Sequence, residues 1–122
     1  MKAIRTIDPE RFEFVIGRDL AVAPFERQPG PPQRHDGVTA GIVTMTASAP
    51  HGGEVHPDGD EVLYVIRGRL RVTGDSAPDD PVELGPGEAC IVAKGEWHKV
   101  DVLEPTRLLH ITPGPRGDHR PR

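Results

Sequence analysis

One cysteine in 122 residues, Cys90, excludes an intrachain disulfide framework. No apolar run approaches the length that crosses a bilayer, and the stretch MKAIRTIDPE carries acidic residues and Pro where a secretion signal needs an apolar segment. A cytoplasmic protein is the expectation. Aromatic residues are scarce: one Trp, one Tyr and three Phe, with Phe12, Phe14 and Phe25 all near the N-terminus. A cavity built to stack sugars or aromatic rings is therefore not expected. Positive charge is not in surplus either. The 15 Lys and Arg stand against 19 Asp and Glu, a net charge of -4 with no basic stripe, which argues against nucleic acid and anionic membranes as partners. Sustained helical periodicity, internal repeats and a domain linker are missing as well.

What is present favours strands. Val outnumbers Leu and Ile, and 14 Gly with 14 Pro suit short strands joined by tight turns. Strands are expected at RFEFVIG (11–17), AGIVTMTAS (40–48), EVLYVI (61–66), LRVTG (70–74), PVEL (81–84), EACIVA (88–93), WHKVDVL (97–103) and TRLLHIT (106–112). A short extended piece, HGGEVHPDGD (51–60), ends in a turn. PFERQPGPPQRHDG (24–37) reads as loop, and the Pro-rich tail 113–122 as frayed or draped. Turn signals every 8 to 12 residues imply an all-β sandwich or barrel. One domain spans 1–112, with an N-terminal strand and loop over 1–38 and a motif-bearing core over 40–112.

A metal site needs several N or O donors converging on one point, and a strand presents residues i and i+2 on the same face. Glu54 and His56 have that spacing, Glu61 follows a turn, and His98 opens a strand some forty residues later. His56 with Asp58 is a second i, i+2 pair, but Asp58 lies in a Pro-Gly turn. His51 sits ahead of the extended piece as a loop histidine, and Cys90 reads as a buried strand residue.

Two motifs resemble those of the cupin superfamily, in particular its small single-domain proteins. The first runs Gly, five residues, His-x-His, three or four residues, Glu, six residues, Gly; here His56, Glu61 and Gly68 match. The second runs Gly, five residues, Pro-x-Gly, two residues, His, three residues, Asn; here Gly87, Gly95 and His98 match. The departures are Glu54 for the first His, Ser48 for the leading Gly, Ala93 for the Pro and Val102 for the Asn. The resemblance implies a double-stranded β-helix, the jelly-roll β-barrel of cupins, with His56, Glu61 and His98 as metal ligands and Glu54 a carboxylate in a histidine's place.

Two imidazoles with one or two carboxylates suit Fe(II), Mn(II), Ni(II) or Zn(II). The chemistry expected is that of a metalloenzyme acting on a small oxygen-bearing substrate, a hydroxy acid, keto acid or enediol, by isomerase, lyase or decarboxylase steps. Glu61 and His110 are the candidate proton-transfer groups. An Fe(II)-dependent dioxygenase, a non-catalytic small-ligand-binding module and a metal-free structural barrel are the alternatives.

Strand parity turns Leu63, Val65, Val100 and Val102 toward the pocket and Val62, Tyr64, Ile66, Trp97, Lys99 and Asp101 away from it. An apolar outer face on 61–66 implies a cover, either the N-terminal segment or a second subunit; a homodimer is the expectation. Arg67, Arg69 and Arg71 share a face and are expected to be balanced by Asp79, Asp80 and Glu83.

Overall fold

The computed structural model describes residues 2–121. These form strands only: β1 (Phe12–Ile16), β2 (Val22–Glu26), β3 (Gly37–Met45), β4 (Gly53–Val55), β5 (Glu61–Gly74), β6 (Val82–Leu84), β7 (Ala89–Val92), β8 (His98–Gly114) and β9 (Asp118–Arg120). All pairings are antiparallel. The ladder runs β2-β1-β3-β8-β4-β9, and β5 pairs with β6, β7 and β8. Among the described residues no pairing joins the ends of this path. The all-β class therefore holds, while the hydrogen-bond ladder itself does not close into a barrel.

Four segments differ from the sequence reading, each because of the strands it pairs with. The expected strands at 61–66 and 70–74 are the single strand β5, which carries register shifts between Val65 and Leu70 where it crosses β8. Gly68 has φ +92° there, and a β-carbon on it would strike the backbone of Pro105 and Thr106, so the bulge requires glycine. The bulge also flips parity: Glu61, Leu63 and Val65 face inward before it, Leu70 and Val72 after it.

The expected break at Glu104 and Pro105 is likewise absent, and β8 runs on through it. Pro105, with no N–H to give, lies where the β5–β8 register is irregular, and buried Thr106 satisfies the bulge by accepting from Arg69 N–H at 3.0 Å and donating to the Glu104 carbonyl at 2.7 Å.

Pro24, Phe25 and Glu26, read as the start of a loop, belong to β2, which pairs with β1 alone and so tolerates proline at the sheet edge. The tail is not frayed throughout. Residues 113 and 114 finish β8, and β9 pairs Arg120, His119 and Asp118 with Gly53, Glu54 and Val55.

The core is Leu63, Val65, Leu70, Val72, Leu84, Val92 and Leu108, drawn from β5, β6, β7 and β8. Burying a side chain of this kind contributes about 1.5–3 kcal/mol. On the opposite face of β5, Tyr64 and Ile66 remain 38% and 40% exposed, and Ile91 on neighbouring β7 is 72% exposed. The N-terminal strands pack along β3 and leave this face uncovered. Among the described residues, no helix is long and apolar enough to cross a membrane.

Candidate metal centre

Each expected donor sits in or directly beside a strand. Glu54 is central in β4, His56 follows that strand directly, Glu61 opens β5 and His98 opens β8. Glu54 pairs with His98 in the β4–β8 ladder. Close approach of these strands depends on Gly53, whose φ is +144° and on which a β-carbon would stand 3.0 Å from the His98 carbonyl oxygen. The turns on either side are tied together: Lys94 N–H donates to Asp60 Oδ1 at 2.7 Å and Gly95 N–H donates to the His56 carbonyl at 3.1 Å. His56 and His98, 42 positions apart in sequence, thereby come to ring centroids 5.5 Å apart.

One donor atom from each of Glu54, His56, Glu61 and His98 lies within 4.8 Å of all the others. His98 Nε2 is 3.1 Å from Glu61 Oε1 and 3.7 Å from Glu54 Oε1. His56 Nε2 is 3.3 Å from Glu61 Oε2 and 3.6 Å from Glu54 Oε1. His98 is 0% exposed and His56 and Glu61 are buried, whereas Glu54 is half-buried and opens to the cavity. The Glu96 carbonyl, 3.0 Å from His98 Nδ1, places a proton on that nitrogen and turns Nε2 toward the other donors.

Two observations fit these residues to a divalent ion. His56 Nε2 is buried without a hydrogen-bond partner, although it faces two carboxylates. Polar atoms in that state are rare unless something else satisfies them. The charges also match. Burial works against ionisation of both carboxyls, yet the two imidazoles outweigh it, holding Glu54 well below the carboxylate range and Glu61 at about 2. Burial likewise lowers both histidines, but the two carboxylates raise His56 to about 9 and, with the Glu96 carbonyl, His98 to about 10. Two imidazolium protons and one M²⁺ cancel the same two carboxylates.

Beyond the four donors, Thr112 Oγ1 donates to Glu61 Oε2 at 2.7 Å and lies 2.8 Å from His110 Nδ1. A hydroxyl that gives its proton to a carboxylate accepts from its other neighbour, so this network assigns the His110 proton to Nδ1. Burial pushes the His110 pKa down despite nearby Glu61 and Glu13, which keeps the ring neutral at pH 7. Thr112 was missed by the sequence reading; its signal is the i+2 spacing from His110, which puts both on the face of β8 that Glu61 shares. The cavity they line measures about 270 Å³, with Val43, Leu63, Val100 and Leu108 as an aliphatic wall.

The remaining sequence candidates lie outside the donor group. Asp58 accepts from Arg116 N–H and Nε, both at 2.7 Å, in the turn. His51 Nε2 reaches Glu54 Oε2 at 3.8 Å and its Nδ1 accepts from Gly53 N–H. Cys90 is half-buried against the core, and burial raises its thiol pKa. Arg69 and Arg71 meet Glu83 at 3.5 and 2.9 Å; among the described residues Asp79 and Asp80 form no ion pair.

The family model described as "Cupin domain" matches residues 41–112. No curated protein matches the chain. Among solved structures, a cupin superfamily protein of Desulfitobacterium hafniense is 20% identical with a TM-score of 0.54, covering 66% of this chain and 71% of that one. A cupin-2 domain containing protein of Shewanella frigidimarina is 24% identical with a TM-score of 0.54, covering 74% and 85%. An oxalate decarboxylase of Bacillus subtilis is 21% identical with a TM-score of 0.56; the match covers 69% of this chain but 24% of that longer one.

Proposed function

The chain belongs to the cupin domain family, and on that premise we propose that it is a small metalloenzyme holding one divalent ion on Glu54, His56, Glu61 and His98. The observation that carries this reading is the convergence of four donors, among them the buried His56 Nε2, which has no hydrogen-bond partner. The curled jelly-roll barrel of the family is part of the reading, with the aliphatic cavity as its interior. Iron, manganese, nickel and zinc all suit two imidazoles and two carboxylates.

Lewis-acid polarisation of a chelated oxygen is what the bound ion supplies. The chain's own residues supply the rest. Leu63, Val100 and Leu108 give one side of the cavity an apolar wall. Neutral His110, with Nδ1–H directed at Thr112, keeps its Nε2 unprotonated beside Gly41, and in this reading that nitrogen takes a proton from a substrate carbon or hydroxyl. Thr112 fixes both that tautomer and the orientation of Glu61. Glu61, buried and held by His98 and Thr112, is better placed as a ligand than as a base. Proton transfer without net oxidation, as in isomerase, lyase or decarboxylase steps, is the chemistry this supports.

A homodimer formed through the outer face of β5, where Tyr64 and Ile66 stand exposed, belongs to the same proposal, as does a cytoplasmic location. The test of function is turnover of a panel of hydroxy and keto acids by protein loaded separately with each of the four metals. Activity that requires metal and falls in Thr112→Val and His110→Ala supports the enzyme. Tight ligand binding with no turnover under any metal rejects it in favour of a binding module.

A further inference from the structure

Arg34 lies in the loop between β2 and β3, on the wall of the 270 Å³ cavity, at its junction with a second cavity of about 560 Å³ that also touches His51 and Glu54. It is half-buried, and among the described residues it makes no hydrogen bond or ion pair. Among the described residues it is also the only Lys or Arg lining the first cavity. Glu13, on the same wall, faces His35 Nε2 at 3.8 Å instead. The guanidinium lies against Gly117, where a β-carbon would strike Nη1 and stand 3.4 Å from His56 Nδ1, so Arg34 sits beside the imidazole of the donor group.

A guanidinium carries five donors and a fixed charge, and half-buried Arg34 turns them toward the cavity rather than toward a hydrogen-bond partner among the described residues. Its planar fork matches a carboxylate. In the proposed centre Glu54 and Glu61 balance the charge of the divalent ion, so the net positive charge that would match a substrate anion comes from outside the donor set. Among the described residues Arg34 is the one fixed positive charge on that wall.

We propose that Arg34 docks the carboxylate of the substrate, so that the cavity selects a small hydroxy or keto acid over a neutral enediol or amide of the same shape. This rests on the metal-centre reading and narrows it to acids. The cavity volume suits a molecule of a few carbons.

The test titrates Mn(II)-loaded protein with glycolate and with glycolamide by calorimetry, after elemental analysis of each sample. Wild type is expected to bind glycolate about tenfold or more tightly than glycolamide, the scale of a charge-assisted bidentate contact. Arg34→Gln should hold the same metal and lose that preference, and Arg34→Lys should recover part of it. An Arg34→Gln protein that keeps both metal and preference overturns the proposal, as does a metal-loaded wild type with no preference. A wild type that takes up no metal overturns the underlying reading and this assignment with it; elemental analysis separates the two failures.

Discussion

Glu54 stands opposite His98 in the β4–β8 ladder, and its Oε1 lies 3.6 Å from His56 Nε2 and 3.7 Å from His98 Nε2. One carboxylate oxygen thus addresses both imidazoles from the position where the family pattern has a third histidine. The exchange replaces a neutral donor by an anionic one and gives the set two negative charges, those of Glu54 and Glu61.

Metal uptake should release protons. In the metal-free protein His56 and His98 hold protons up to about pH 9 and 10, and an ion must displace both. Calorimetry near pH 7 in buffers of different ionisation enthalpy should report close to two protons released per ion, and affinity should fall as pH is lowered. Uptake with no proton release would contradict the coupling.

The same shifts predict opposite pH trends for the metal-free and loaded proteins. Raised histidine pKa values stabilise the metal-free fold fully below the ordinary value of 6.5, and that stability is lost as pH rises through 9 to 10. The depressed Glu61 adds stability above 4.5 that is lost as pH falls toward 2. The Tm of the metal-free protein should therefore decline from pH 6.5 to 10, while the gain in Tm on adding metal grows over that range. Thermal melts with and without metal check both trends.

Support for Glu54 comes largely from the tail. Strand β4 has one pairing with β8 and three with β9, and Arg120 anchors β9 by bonding Asp75 through both guanidinium nitrogens at 2.6 and 2.7 Å and lying 4.9 Å over the Trp97 ring. Deleting residues 117–122 should weaken metal binding about tenfold or more, the scale at which groups orienting ligands act, with the rest of the β circular-dichroism signal retained. Unchanged affinity would show that β4 holds its place without β9.

Light scattering at micromolar concentration should give the mass of a dimer, and Tyr64→Arg or Ile91→Arg should give a monomer that still binds metal. Both substitutions put charge on an exposed apolar face away from the donors.

The donor set was legible in the sequence because it rests on short-range rules. Strand alternation puts Glu54 and His56 on one side, and motif spacing fixes Glu61 and His98. The same alternation correctly turned Leu63 and Val65 inward and Tyr64 and Ile66 outward. What escaped depends on contacts between distant segments. Gly68 and Pro105 look like chain breaks in isolation, yet each fits a bulge that exists only because β5 and β8 pair across it. Pro24 is acceptable because β2 is an edge. Two departures from the family pattern also meet: Val102 N–H donates to Ser48 Oγ at 2.9 Å, a pairing across 54 positions that local pattern could not supply. Arg34 sits in a Pro-rich loop with no periodicity, so nothing in the sequence marked it as lining the cavity.

Every role assigned to Glu54, His56, Glu61 and His98 depends on the ion, and elemental analysis of protein purified without chelator measures it directly. Close to one equivalent of a divalent transition metal is predicted for wild type, with most of it lost in His98→Ala and in Glu54→Ala. Wild type with no stoichiometric metal and no uptake on reconstitution would contradict it.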